Sequence, residues 1–258
     1  MNECAAPALA ELLERETAIA RLRSALAAGA NLLVHAPAGM GKTALLRRGL
    51  PLAPRPLFCA GAAPAAIYGQ ALAALQALGD ACVASLLAAR GLQAADLPRL
   101  PSFSRRGWLE KALAGGRYCL VLDPAPRASA AFARQLTDLL RRTQTPLVCA
   151  APADSSDYVG ALISLFPFRE NRLALLPLSP ATARQFMQAR LQQAGVSQAE
   201  AREVMRQLLP LAHGAPGRIE QFARLAAEAR YRRPEGLKLH SLYLDVLMAS
   251  APAKGRKT

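Results

Sequence analysis

Lysine is scarce here: five of the 32 basic residues are Lys (positions 42, 111, 238, 254 and 257), and the others are Arg. Acidic residues are also few, at 18, which leaves a net charge of +14 on 258 residues. Arg in place of Lys follows from the base composition of a coding sequence as readily as from function. The charge excess says more, because it favours polyanionic partners. The five Cys (4, 59, 82, 119 and 149) form no CxxC pair and have no His at ligand spacing. That excludes a zinc module or disulfide framework and predicts reduced thiols, with Cys59, Cys119 and Cys149 as small buried hydrophobes in apolar runs. Long hydrophobic runs are missing too. The stretch 62–89 is interrupted by Gln70, Gln76, Gly79 and Asp80, whereas a membrane span needs about 20 apolar residues. Two Ala- and Leu-rich helices meeting at Gly79-Asp80 are expected instead. The opening MNECAAPALAELLERE carries acids where a secretory leader carries bases, so the expectation is a cytoplasmic protein without membrane contact. At 52% hydrophobic residues the chain carries too much apolar surface to remain disordered.

Read along the chain, helix and strand patterns alternate. A helical repeat over 11–28 (Leu12, Ile19, Leu22, Leu26) stops at Gly29, and the apolar run 31–36 reads as a buried strand. A helix from Thr43 to Leu50 is closed by Pro51, Pro54 and Pro56, with a strand expected over 57–60. Helices are predicted over 64–78, 80–90 and 104–114, then a strand at 118–122 and a helix starting at Ser129. Further strands fall at 146–150 and 173–176. Continuous apolar strands separated by helices imply a parallel sheet covered on both faces. Beyond Pro177 the pattern turns helical. Ser179-Pro180 opens one helix, and Ser197 with Glu200 forms a capping box for the next, expected to close at Pro210 and Gly214. Pro216 sits in the first turn of a third, and a strand-like run covers 237–244. The expected organisation is a three-layer α/β core with a parallel sheet over 1–176. A small all-helical lid with a frayed basic tail at 254–257 follows over 177–258.

The strongest chemical signal is Ala36-Pro-Ala-Gly-Met-Gly41-Lys42-Thr43, a P-loop pattern with Ala in place of its first Gly. It follows a predicted strand and opens a predicted helix. Pro37, Ala38, Gly39, Met40 and Gly41 form the phosphate loop, and Lys42, Thr43 and Ala44 start the helix. Glycines at 39 and 41 let backbone N–H groups converge on phosphate oxygens, and the helix start adds partial positive charge. Lys42 is placed to reach the β- and γ-phosphates, and Thr43 to ligate Mg²⁺. About eighty residues on, Leu120-Val-Leu-Asp123 ends an apolar strand in a carboxylate. On a strand beside the P-loop strand, Asp123 holds the water shell of the same Mg²⁺. The core over 1–176 is therefore expected to be a P-loop NTPase core, with ATP or ADP and Mg²⁺ as its ligand.

With these motifs in this order, the chain resembles the AAA+ ATPases over about residues 10 to 230. Within them it is most similar to the small transposition-regulator and replication-initiator ATPases, and after these to the STAND signalling NTPases. The resemblance implies roles for further residues. Arg15, within Leu13-Glu-Arg15-Glu16, looks like part of the leading box near the adenine. Arg218, in His213-Gly-Ala-Pro216-Gly-Arg218, resembles the second sensor that touches the γ-phosphate. Arg169 or Arg172 lies where the family places an arginine finger for a neighbouring subunit.

Two positions depart from the pattern. Pro124 follows Asp123 where the family carries Glu to polarise the attacking water, and Ala150-Ala151 stands where the first sensor is polar. Losing a general base costs about 10²–10⁴ in rate. Nucleotide binding with slow hydrolysis is expected, with Asp154 or Ser155 as candidate substitutes for the sensor and His35 as a packed strand residue. Clustered arginines (47–48, 105–106, 141–142, 230–233) suit either solvated helix ends or a track along DNA. Without a base-reading motif, DNA binding would ignore sequence. The implied behaviour is a switch that oligomerises as a ring or filament, binds DNA and recruits a protein partner. The alternatives are a STAND-like switch acting through a separate effector chain, and a degenerate nucleotide-binding subunit without turnover.

Overall fold

The structure, a computed structural model, describes residues 14–50, 52–60, 64–233 and 236–250. The start of the first helix at 11–13, Pro51 and the basic tail at 254–257 lie outside the described residues. The chain divides into two compact units: 15–37 with 42–175, and 176 onward with the loop 38–41 and Glu14.

The first unit runs α1 (Glu16–Ala27), β1 (Leu32–His35), α2 (Lys42–Gly49), β2 (Arg55–Cys59), α3 (Pro64–Ala77), α4 (Ala81–Ala88), α5 (Ser102–Leu113) and β3 (Tyr118–Leu122). It continues with α6 (Ala130–Thr143), β4 (Leu147–Ala151), the single turn α7 (Ser156–Val159), and β5 (Arg172–Ala174). The five strands are all parallel, in the order β2-β3-β4-β1-β5. Every residue of β3 and β4 is buried. Successive side chains point to opposite faces of a strand, so both faces of the sheet are covered and the unit is a three-layer α/β fold. On one face Leu33, Leu120, Leu122 and Cys149 join Tyr68, Leu72, Trp108, Leu109, Phe132 and Leu136 in one core. Cys59 and Cys119 are buried as well, and burial pushes both thiols up to about 12. Helices α3 and α4 meet at Gly79-Asp80 with a 103° bend, and no single helix among the described residues is long and apolar enough to cross a membrane.

The order corrects one sequence expectation. The strand that delivers Asp123 is not beside the P-loop strand: β4 lies between them, pairing with β1 through Leu33↔Cys149 and with β3 through Leu122↔Cys149. Smaller shifts occur at strand ends. β2 begins at Arg55 and includes Pro56, which β3 accommodates because β2 is an edge strand with one partner.

The second unit is helical: α8 (Pro180–Gln193), α9 (Gln198–Ala212), α10 (Pro216–Ala226), a two-residue hairpin pair β6 (Arg232–Arg233) and β7 (Gly236–Leu237), and α11 (Leu239–Ser250). Its own core gathers Phe186, Leu191, Val204, Leu208, Ile219 and Phe222. The Ser197–Glu200 capping box forms in both directions. Two expectations fail here. Pro210 does not close α9, which runs through it to Ala212 and ends on His213 in a left-handed cap. Of the strand-like run at 237–244 only Leu237 lies in a strand, and from Leu239 onward it forms α11, with Leu239, Leu242 and Val246 buried at helical spacing.

Candidate functional site

Residues 36–43 turn from β1 into α2, as the pattern requires. Gly39 and Gly41 take φ of +79° and +85°, a region L side chains rarely adopt, and this lets consecutive N–H groups face one concavity. An added Cβ at Gly41 would meet nothing within 4 Å, so the cradle is open where a phosphate would sit. Pro37, Ala38 and Gly39 are exposed, whereas Met40 is buried beneath the turn and Ala44 is half-buried.

Lys42 Nζ donates to the carbonyls of Ala36 (2.7 Å) and Pro37 (3.0 Å), folding over the loop it follows. Burial lowers its pKa from 10.5, and the charge of Asp123 partly restores it. Because the folded pKa lies below the unfolded one, the unfolded chain binds more protons as pH approaches 10.5 from below. This group then adds stability as pH rises through that window. A polyphosphate would hold the same ammonium charged. Thr43 is exposed, and its hydroxyl has no partner among the described residues. Asp123 is half-buried just past β3, anchored by its N–H donating to Cys59 O at 3.0 Å. An open glycine cradle, a cation, a free hydroxyl and a carboxylate fit a nucleotide phosphate chain with Mg²⁺. Asp123 lies on the far side of β4 from β1, so it reaches across one strand rather than from an adjacent one.

At the sensor position Ala150 and Ala151 are fully buried, with Ala151 paired to His35. Past that strand, Asp154 lies 3.9 Å from His35 Nδ1 and 3.7 Å from Arg172 Nη1. Arg172 Nε also donates to Phe166 O at 3.0 Å, and its backbone opens β5 opposite Leu33. Arg169, three residues earlier in a short 3-10 turn, is exposed and makes no ion pair among the described residues. Arg15 is 5% exposed at the entry to α1, where its carbonyl accepts from Ile19 N. The His35–Asp154–Arg172 grouping is invisible in the sequence, since its members come from the end of β1, the loop past β4 and the start of β5.

Arg218 stands in the first turn of α10, half-buried, with Nη1 reaching the Leu211 carbonyl at 3.5 Å. Beside it, Gly217 N donates to Gly39 O at 2.7 Å. An added Cβ at Gly217 would come within 2.8 Å of Gly39 Cα, so only glycine allows this approach. The loop backbone is therefore held from α10 as well as from its own flanks. The signal for it was present as a Gly following the helix-opening Pro216.

No family profile matches this sequence, and no curated protein does. Among solved structures the chain is similar to the Orc1 protein of Aeropyrum pernix, determined in complex with DNA. The two share 20% identity with a TM-score of 0.51, over 93% of this chain and 69% of that one. At that identity the likeness establishes the fold alone: a three-layer α/β core with a five-stranded parallel sheet, followed by a helical unit.

Proposed function

We propose that this chain is an ATP-binding switch of the AAA+ type, with residues 1–176 as its nucleotide-binding part and 177–258 as its lid. The observation that carries the reading is the P-loop itself: two left-handed glycines, the desolvated Lys42 and the opposing Asp123. Pro37 to Ala44 would hold the phosphates of ATP or ADP, Thr43 and Asp123 the Mg²⁺, and Arg15 the base end. Mg²⁺ would supply charge neutralisation along the phosphate chain. Arg218 would act as the second sensor. The buried Ala151 and the Pro124 that follows Asp123 offer no group to orient water, which supports slow hydrolysis. It also favours a second reading, a nucleotide-binding subunit without turnover.

Binding to DNA without regard to sequence is part of the proposal. Its supports are the net charge of +14 and the likeness to a protein solved on DNA. A homo-oligomer and a recruited protein partner complete it. Thermal melting tests the nucleotide step. Saturating Mg-ATP is expected to raise the melting temperature, by about 2.7 kcal/mol of stability at a hundredfold excess over Kd. Lys42→Ala is expected to lose the effect, and an unchanged wild-type melting point would remove the assignment.

A further inference from the structure

The end of the sheet remote from the P-loop carries a second concavity. Strands β2 and β3 both begin there, Arg55 pairing with Tyr118, next to the α3–α4 bend. The cleft, about 540 Å³, is lined by Leu52, Arg55, Leu78, Asp80, Arg117 and Tyr118. Its floor is built of buried polar groups. Asp80, with no exposed side-chain surface, accepts from Tyr118 Oη at 2.7 Å and from Val83 N at 3.0 Å, and lies 3.5 Å from Arg117. The Asp80 carboxylate is thus fully engaged and sets the position of Arg117, whose own side chain remains 63% exposed. Arg55 is exposed and makes no ion pair among the described residues.

The rims are apolar: Leu52 is 92% exposed and Leu78 43%. Around them the charge is positive. A helix joining parallel strands runs back to the end where strands start, so α2, α5 and α6 all finish here. Their last turns carry Arg47 and Arg48, Lys111, and Arg141 and Arg142. Glu110 is taken by Arg142 at 3.3 Å. An acidic ligand would meet one guanidinium positioned by Asp80, that of Arg117, and the exposed one of Arg55, inside a wider positive field. Two bare leucines flanking a concave surface suit an aliphatic or aromatic side chain, which a sugar-phosphate backbone does not offer.

We propose that this cleft docks a partner protein through an acidic segment bearing a bulky apolar residue. The acid pairs with Arg55 and Arg117, and the apolar side chain is held between Leu52 and Leu78. The cleft lies at the opposite end of the strands from Lys42, so the partner and a nucleotide do not compete for space.

Panning a library of random displayed peptides on the full chain, in the presence of Mg-ATP, tests the proposal. The expected yield is acidic peptides with a Leu, Ile or Phe anchor. Their affinity should drop at least tenfold, about 1.4 kcal/mol, for Arg55→Glu and again for Leu52→Glu. Both positions are exposed, and both variants should keep the wild-type melting shift with Mg-ATP, which separates failure here from failure of the nucleotide reading. Enriched peptides that lack acids, that bind both variants equally, or that do not emerge at all would overturn it. So would a duplex oligonucleotide that loses affinity in these two variants while no peptide is enriched, since the face would then belong to nucleic acid.

Discussion

Gly217 shows how a single methyl group can reach the phosphate loop. Its nitrogen is 2.7 Å from Gly39 O, and a Cβ would press on the Gly39 backbone from 2.8 to 3.0 Å. Backbone cannot rotate aside as a side-chain tip does, so Gly217→Ala must displace either the loop or the first turn of α10. Overpacking of this kind costs about 1–3 kcal/mol. Displacing the loop should weaken Mg-ATP binding about tenfold or more; titration calorimetry of Gly217→Ala against wild type measures it, and unchanged affinity would mean the helix gives way instead. Pro124 and Ala151 bear on the proposed chemical step. Wild-type turnover is expected far below the roughly 10 s⁻¹ of a median enzyme. Restoring a carboxylate with Pro124→Glu should raise phosphate release by up to about 10²-fold. Rapid release by the wild type would show that another residue handles the water, with Asp154 the nearest candidate beyond β4.

At the scale of elements, legibility followed how local the signal was. Ser197 and Glu200 are three residues apart, and both halves of their box form as the spacing implies. Ser197→Ala should cost about 1 kcal/mol, read as an earlier midpoint in urea. The strand at 118–122 and the helix capped by Ser129 were equally plain, the one a wholly apolar run and the other bounded by its own hydroxyl. The run at 237–244 was not, because Leu237 and Leu239, then Leu242 and Leu244, alternate only as short pairs whose parity breaks between them, while Leu239, Leu242 and Val246 follow a period near 3.6. The core of the helical unit decides for the helix by taking Leu239, Leu242 and Val246. Sheet order was not legible at all. Strands buried on both faces carry no polar alternation, so nothing in β3 or β4 states which neighbour each takes. That is why Asp123 was assigned to an adjacent strand when β4 intervenes. The same non-local placement set Arg172 against Asp154 and left Arg169 in solvent, a distinction invisible in the run Arg169-Glu-Asn-Arg172.

For the whole molecule, that distinction selects which arginine to test in assembly. A finger must leave its own subunit and reach a nucleotide held by the next. Arg172 is tied to Phe166 O and Asp154, whereas Arg169 is exposed beside Phe168, itself 66% exposed. Arg169 is therefore the better candidate for the proposed finger, and a contact made in trans this way would be head-to-tail, giving a ring or an open filament. Copies carrying +14 each repel one another. A polyanion running along the stack offsets that repulsion, and added salt both screens the DNA contact and restores counterions. If hydrolysis is slow, as proposed, an ATP-bound assembly would persist until turnover releases it. Light scattering should show oligomers with Mg-ATP, enlarged by duplex DNA of any sequence and dispersed by salt. Arg169→Ala should abolish the ATP dependence while keeping the wild-type melting point. Arg172→Ala should instead lower the melting point through the lost ties of β5. If Arg172→Ala alone blocks assembly with its fold intact, the finger is Arg172. A monomer under every condition would leave the nucleotide-binding subunit without turnover as the better reading.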